Sequence, residues 1–188
     1  MTVFRVFPFD PSAADRAPGG ALFVPPGGRG RIDSVAPRAY TVLYVGSTPE
    51  CAVAECFGAF DVWDRIVVEA KPATPLLPKS RFALASYALP SALDVRNLDD
   101  AAALLAEGLI PSRVVTRDRS VTQAWASRIH ARGSYAGLAW WSYYEPSWQS
   151  VGIWGHERLR LASSPRVLHV ADEAVRSSAK IIRRRIAA

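Results

Sequence analysis

The sequence predicts an α+β fold, a mixed β-sheet core with surrounding helices, and three observations carry that expectation. Strand-like segments stand toward both ends of the chain with helices interspersed irregularly, unlike the regular alternation of a doubly wound sheet. No internal repeat is present and no linker is long enough to separate two domains. At 188 residues and 49 % hydrophobic content, the chain suits one domain over residues 1–188 with a sizeable core.

In chain order, Val3 to Phe9 alternates as a strand that Pro8 and Pro11 are expected to end. Residues 17–38, including Pro25-Pro26-Gly27-Gly28-Arg29-Gly30-Arg31, read as a loop. Tyr40 to Val45 is a short apolar, β-branched and aromatic run, a buried strand. Ser47-Thr48-Pro49-Glu50 starts a helix, with a hydroxyl cap, a proline in the first turn and an early acid, and Gly58 stops it. Residues 62–70 end in another strand-like run, and Leu84 to Leu98 reads as further strand and turn. Short and longer helices follow over Leu98–Gly108, capped at Asp99 or Asp100, and Ser120–Ala131, with Gly133 just beyond. Tyr135–Tyr144 and Ser150–Trp154 are aromatic-rich strands about a Glu145-Pro146-Ser147 turn, and a basic helix over about Ala171–Ile186 closes the chain.

Composition narrows the function classes. No stretch approaches the ~18 apolar residues of a membrane span. The N-terminus lacks a basic segment followed by an apolar run, so no signal peptide is expected. Cys51 and Cys56, on one helix and pointing apart, do not make a secreted disulfide scaffold, and a reducing cytoplasm fits. The net charge of +6 invites a nucleic-acid reading, but Arg176, Lys180, Arg183, Arg184 and Arg185 hold much of the excess. Such a terminal cluster serves equally as a solvated face or a complement to a helix C-terminus.

Several chemistries find no support. His130, His156 and His169 lack ligand spacing and the cysteines have no partner pair, so no metal site is expected. The glycine-rich loop precedes a strand rather than a helix and lacks the Lys-Ser/Thr of a nucleotide-triphosphatase loop. There is no Gly-x-Ser-x-Gly elbow for a nucleophilic serine.

Four features do carry chemistry. Glu55 lies in Cys51-Ala52-Val53-Ala54-Glu55-Cys56-Phe57, apolar on almost every side. A carboxylate buried there needs a cation or several donors, whereas one at the helix edge reaches solvent. Arg31 offers a planar fork to phosphate or carboxylate beside glycines that let a ligand approach, or it is an exposed loop arginine. Arg5, flanked by Phe4, Val6 and Phe7, calls for an anionic partner unless it snorkels from an edge strand. The run Trp140-Trp141-Ser142-Tyr143-Tyr144 is core packing or the wall of a flat-ring pocket oriented by the Ser142 hydroxyl.

In this order the pieces resemble the RES domain family, named for its Arg, Glu and Ser, over nearly the whole chain. Phe4-Arg5-Val6 resembles its early arginine motif, and Gly30-Arg31-Ile32-Asp33 its Gly-Arg loop. Leu43-Tyr44 and Ala52-Val53-Ala54-Glu55 resemble its Leu-Tyr strand and Ala-x-x-Glu helix. Thr122-Gln123-Ala124-Trp125-Ala126 and Gly137-Leu138-Ala139-Trp140-Trp141-Ser142 resemble its third block. Many members carry Gly-Arg-Trp-Asn-Pro where Ile32-Asp33 follows Arg31 here.

The resemblance implies a fold like that of ADP-ribosyltransferases and a toxin of a bacterial toxin–antitoxin pair that consumes NAD+ by hydrolysis or phosphorolysis. It implies Arg31, Glu55 and Ser142 as catalytic residues, with Arg5 and Tyr44 binding substrate. NAD+ is then substrate rather than cofactor, with inorganic phosphate as co-substrate in the phosphorolytic branch and no resident cofactor. The implied partner is a helix-turn-helix (Xre-type) antitoxin, through which any nucleic acid is contacted, and a homodimer within a larger complex is compatible. On residue chemistry, Arg31 and Arg5 hold phosphate, Glu55 stabilises a ribosyl cation, Tyr44 packs or hydrogen-bonds near the nicotinamide ribose, and Ser142 orients the nicotinamide. The rivals are protein ADP-ribosylation, a nucleic-acid-targeting toxin using the basic C-terminal helix, and a non-catalytic docking module.

Overall fold

A computed structural model describes residues 1–27, 29–36 and 39–187; Gly28, Pro37 and Arg38 of the expected loop lie outside them. Among the described residues the chain forms β1 (Thr2–Phe9), β2 (Leu43–Gly46), α1 (Pro49–Phe57), β3 (Val62–Trp63), α2 (Arg65–Val68), β4 (Arg81–Ala88) and β5 (Val95–Asn97). Then come α3 (Ala101–Ala106), α4 (Pro111–Val114), α5 (Arg119–Ala131), β6 (Gly137–Trp141) and β7 (Gln149–Ile153). A 3₁₀ turn at His156–Arg158, β8 (Arg160–Val167), α6 (Glu173–Ile181) and β9 (Arg185–Ile186) complete it. The α+β expectation holds: seven strands form one mixed sheet in the order β5-β6-β7-β2-β1-β4-β8, parallel only between β5 and β6. A parallel pair, β3 with β9, stands apart.

Strand alternation divides the core into two faces. One face carries Val3, Phe7, Leu43, Val45, Ala85, Tyr87, Val151 and Ile153 in a single cluster. The other face is covered in two halves. Val6, Phe82 and Leu84 pack with α1 and α6, while Val42, Leu138 and Trp140 pack with the α3–α5 region. Between those halves β1 and β2 pair at Phe4 opposite Gly46 and part beyond it, although β1 stays in register with β4 along its whole length. That parting opens the cleft described below.

Several expectations need correcting. Pro8 does not end β1, because at that end β1 has only β4 as partner, the edge condition under which proline is tolerated. Tyr40–Val42 precedes β2 rather than joining it. Ile66-Val67-Val68 is one helical turn, not strand, because Asp64 caps it by accepting the Val67 N–H at 2.9 Å. The closing helix ends at Ile181, after which Arg185 and Ile186 pair with β3. The helix starting at Pro49 matches expectation: Thr48 accepts the Cys51 N–H at 3.1 Å. Gly58 caps its end in a right-handed, not a left-handed, conformation, and close approach requires glycine there, since a Cβ would meet the Ala54 carbonyl and the Tyr144 ring, both at 2.5 Å. No helix among the described residues is long and apolar enough to cross a membrane.

Candidate active site

A cleft of about 300 Å³ lies where β1 and β2 part. Its walls come from Phe4 and Val6 of β1, Tyr44 of β2, Ala52, Glu55 and Cys56 of α1, Trp140 of β6, Ser150 of β7, and Gly30, Arg31, Arg119 and Tyr143 from loops and the start of α5. The volume sits at the small end of ligand pockets, with apolar walls and a few convergent polar groups.

Glu55 is the centre of the polar arrangement. Four of its helix neighbours, Cys51 to Ala54, are buried, Val53 in the cluster with Val6, Phe82 and α6 and Cys51 and Ala54 with Trp148, yet Glu55 itself is exposed because its side of α1 faces the cleft. Of the two sequence readings, the edge position holds. Its Oε1 accepts the Ser142 hydroxyl and the Ser150 hydroxyl, both at 2.8 Å. The donors are neutral, so they fix the carboxylate without cancelling its charge, and Glu55 lines the cavity.

Ser142 is buried behind Glu55 rather than on the cavity wall; its oxygen also accepts the Tyr144 N–H at 3.2 Å. Ser150, adjacent across the sheet to Trp140, does line the cavity. The sequence reading missed Ser150, and its only local signal is a hydroxyl on the face of β7 opposite Val151 and Ile153.

The loop carrying Arg31 is clamped from beneath. Buried Asp33 accepts the Gly30 N–H at 2.7 Å and the Tyr44 hydroxyl at 2.7 Å, while that hydroxyl accepts the Ile32 N–H at 3.0 Å. Gln123 donates to the Gly30 carbonyl at 2.9 Å. A side chain at position 30 would collide with the Tyr44 hydroxyl, so glycine is required there by close approach. Burial and then Asp33 push the Tyr44 phenol well above its ordinary range. Tyr44 thus lends the cavity a ring face, at 6.5 Å edge-on to Trp140, while its hydroxyl serves the loop.

Arg31 Nη1 donates to the carbonyls of Val114 at 2.7 Å and Thr116 at 2.8 Å. Burial, then the like charge of Arg119, lowers its guanidinium pKa; Glu55 and Tyr44 oppose the shift. Arg5 borders the cleft, but its side chain follows Val3 and Phe7 to the other face of the sheet. There Nη1 donates to the Phe23 carbonyl at 2.9 Å and the guanidinium lies 5.1 Å over the Phe7 ring. Its expected anionic partner is instead a carbonyl, a ring and the Tyr87 phenol; burial lowers its pKa and Tyr87 partly restores it. Among the described residues neither Arg5 nor Arg31 forms an ion pair.

Other chemistry is poorly served. Both cysteines are free, and burial pushes each thiol up to about 12, so neither presents a thiolate near neutrality. Among the described residues no group of three His, Cys, Asp or Glu is placed to hold a metal ion. The basic C-terminus is partly structural: Arg184 donates to the Gly58 carbonyl at the end of α1 through Nε (3.0 Å) and Nη2 (2.8 Å).

Comparison with known proteins gives three findings. The model of the RES domain matches residues 2–175. The fold is similar, with a TM-score of 0.58, to that of a chain in the crystal structure of the M. tuberculosis MbcT–MbcA toxin–antitoxin complex. That likeness has 14 % identity and spans 97 % of this chain and 88 % of the other. No curated protein matches the chain.

Proposed function

The chain belongs to the RES domain family, and we propose that it is a toxin whose cleft breaks the nicotinamide–ribose bond of NAD+. The carrying observation is Glu55, a carboxylate pinned by two neutral hydroxyls and, among the described residues, without an ion-pair partner, in an apolar-walled cavity that it shares with Arg31.

Nicotinamide leaves with the bonding electron pair, so positive charge grows on the ribose through an oxocarbenium-like state, as in glycoside cleavage. A fixed carboxylate stabilises that charge more than it stabilises the ground state, and accepts from ribose hydroxyls. Ser142 and Ser150 keep Glu55 from rotating away, so no serine has to become covalently bound. Trp140 and Tyr44 supply ring faces for the flat base. Arg31, whose remaining guanidinium donors are on the cavity wall, holds the anionic diphosphate, a role that Arg5, turned to the other face of the sheet, does not share. Water or inorganic phosphate then attacks the ribose carbon, giving ADP-ribose or its 1″-phosphate.

The rest of the reading follows from the same assignment. The protein works in the cytoplasm as one RES-like domain over residues 1–188, depletes NAD+, and arrests growth unless an antitoxin covers the cleft. A similar fold within a toxin–antitoxin complex supports such a partner, which we take to be a helix-turn-helix protein. Incubating purified protein with NAD+, with and without phosphate, tests the proposal by product analysis. Release of nicotinamide with ADP-ribose or ADP-ribose 1″-phosphate is expected, whereas label transferred to an acceptor protein moves the assignment to ADP-ribosylation. NAD+ left intact under all conditions overturns it.

A further inference from the structure

The segment from Val114 to Arg119, between α4 and α5, is tied to both sides of the cleft. On one side Arg31 Nη1 holds the Val114 and Thr116 carbonyls. On the other, Arg117 Nη2 donates to the Tyr143 hydroxyl at 2.8 Å, with its guanidinium 4.8 Å from that ring. These ties deliver Arg119, the first residue of α5, to the cavity wall.

Among the described residues no carboxylate pairs with Arg119. Its side chain is exposed and makes no hydrogen bond or ion pair to another described residue. The adjacent Asp118 is engaged elsewhere, its Oδ1 accepting the Ser120 N–H at 2.9 Å and the Ser120 hydroxyl at 2.6 Å. Among the described residues, the carboxylate on the cavity wall is Glu55, which the serines hold. Arg31 commits one nitrogen to carbonyls and keeps its other donors, while Arg119 keeps its whole planar fork. Two like charges facing one partly apolar cavity repel each other, and a bridging anion relieves that repulsion.

We propose that Arg119 is a ligand-binding residue of this cleft, taking a phosphate-class anion, and that Arg31 doubles as the positioning residue for the segment that presents it. The inference rests on the NAD+ reading only for the source of the anion, the dinucleotide's diphosphate or free inorganic phosphate. The role of Arg119 was not legible in the sequence, where it precedes the Thr122-Gln123 block without a motif of its own.

Calorimetric titration with pyrophosphate tests the site without turnover. Wild type binds, Arg119→Ala weakens binding by about tenfold or more, and its melting temperature stays within about 2 °C because the residue is exposed. Arg176→Ala, which removes the same charge from the exposed face of α6, changes affinity by less than about twofold. Equal affinity in wild type and Arg119→Ala, or no binding by wild type, overturns the proposal whether or not NAD+ is consumed. In the NAD+ assay, an Arg119→Ala KM for NAD+ raised about tenfold with kcat little changed assigns the diphosphate. An unchanged KM for NAD+ with a weakened dependence on orthophosphate assigns free phosphate, and no change in either overturns a role in turnover. Pyrophosphate binding by a wild type that spares NAD+ keeps the anion site and rejects the NAD+ reading alone. For Arg31→Lys, faster amide exchange over 114–119 is expected, with Arg119→Ala unchanged there; unaltered exchange overturns the positioning role.

Discussion

Glu107 and Glu55 both lie at or near the end of a helix with arginines close by, yet the protein treats their charges in opposite ways. Glu107, at the end of α3, is buried, with Arg96 Nε 3.3 Å from one oxygen and Arg132 paired to the other. Arg128 adds a bond to its backbone carbonyl at 2.8 Å. There the charge is cancelled within the fold and ties α3, β5 and α5 together. Glu55 is exposed, one of its oxygens receives two neutral hydroxyls, and among the described residues Arg31 and Arg119 of its cavity form no ion pair. Neutralisation inside the protein makes structure, and withheld neutralisation leaves interaction energy for a ligand.

Substitutions sharpen the contrast. The largest effect is expected at Glu55→Gln, which keeps shape and hydrogen bonding but removes charge. Turnover of NAD+ should fall by on the order of 10²–10³ while the melting temperature stays within about 2 °C. Glu107→Ala should do the reverse, lowering stability in urea by about 2 kcal/mol and sparing turnover per folded molecule. That figure is below the cost of breaking a fully buried pair, because Arg96 and Arg132 are part-exposed and rehydrate. Ser142→Ala and Ser150→Ala should each lower kcat about tenfold, by freeing Glu55 to rotate. Ser142→Ala should also cost some stability through the lost Tyr144 N–H partner. Smallest is Tyr44→Phe, expected to cost about 1 kcal/mol of stability, because its hydroxyl serves the Arg31 loop. A kcat loss there as large as at Glu55 breaks the division between loop support and chemistry.

How far the sequence foretells these regions depends on how local the cause is. The Thr48 cap and Pro49 start of α1, the Asp100 cap of α3 and the left-handed Gly133 after α5 follow from nearest neighbours, and all are present. The strand β8 escaped because its exposed-rich Arg160–Val167 run, with Ser163, Ser164 and Pro165, has one partner and little apolar alternation. Ile66–Val68 misled because a cap, not β-branching, decides a single turn. The order of Arg31, Glu55 and Ser142 was readable, and their division of labour was not. Ser142 and Ser150 lie 87 and 95 residues from Glu55, and only the adjacency of β6 and β7 aims both hydroxyls at one oxygen. The apolar neighbours of Glu55 argued equally for burial and for an edge. The parting of β1 and β2, a property of pairing rather than of any segment, decides for the edge.

Nicotinamide release from NAD+, measured side by side for wild type, Glu55→Gln and Glu107→Gln at equal folded concentration, tests the central claim most directly. Wild type and Glu107→Gln should release nicotinamide at similar rates, while Glu55→Gln releases it at least about a hundredfold more slowly. Near-normal release by Glu55→Gln, or an equal loss in both variants, contradicts the assignment of the uncancelled carboxylate to the chemistry.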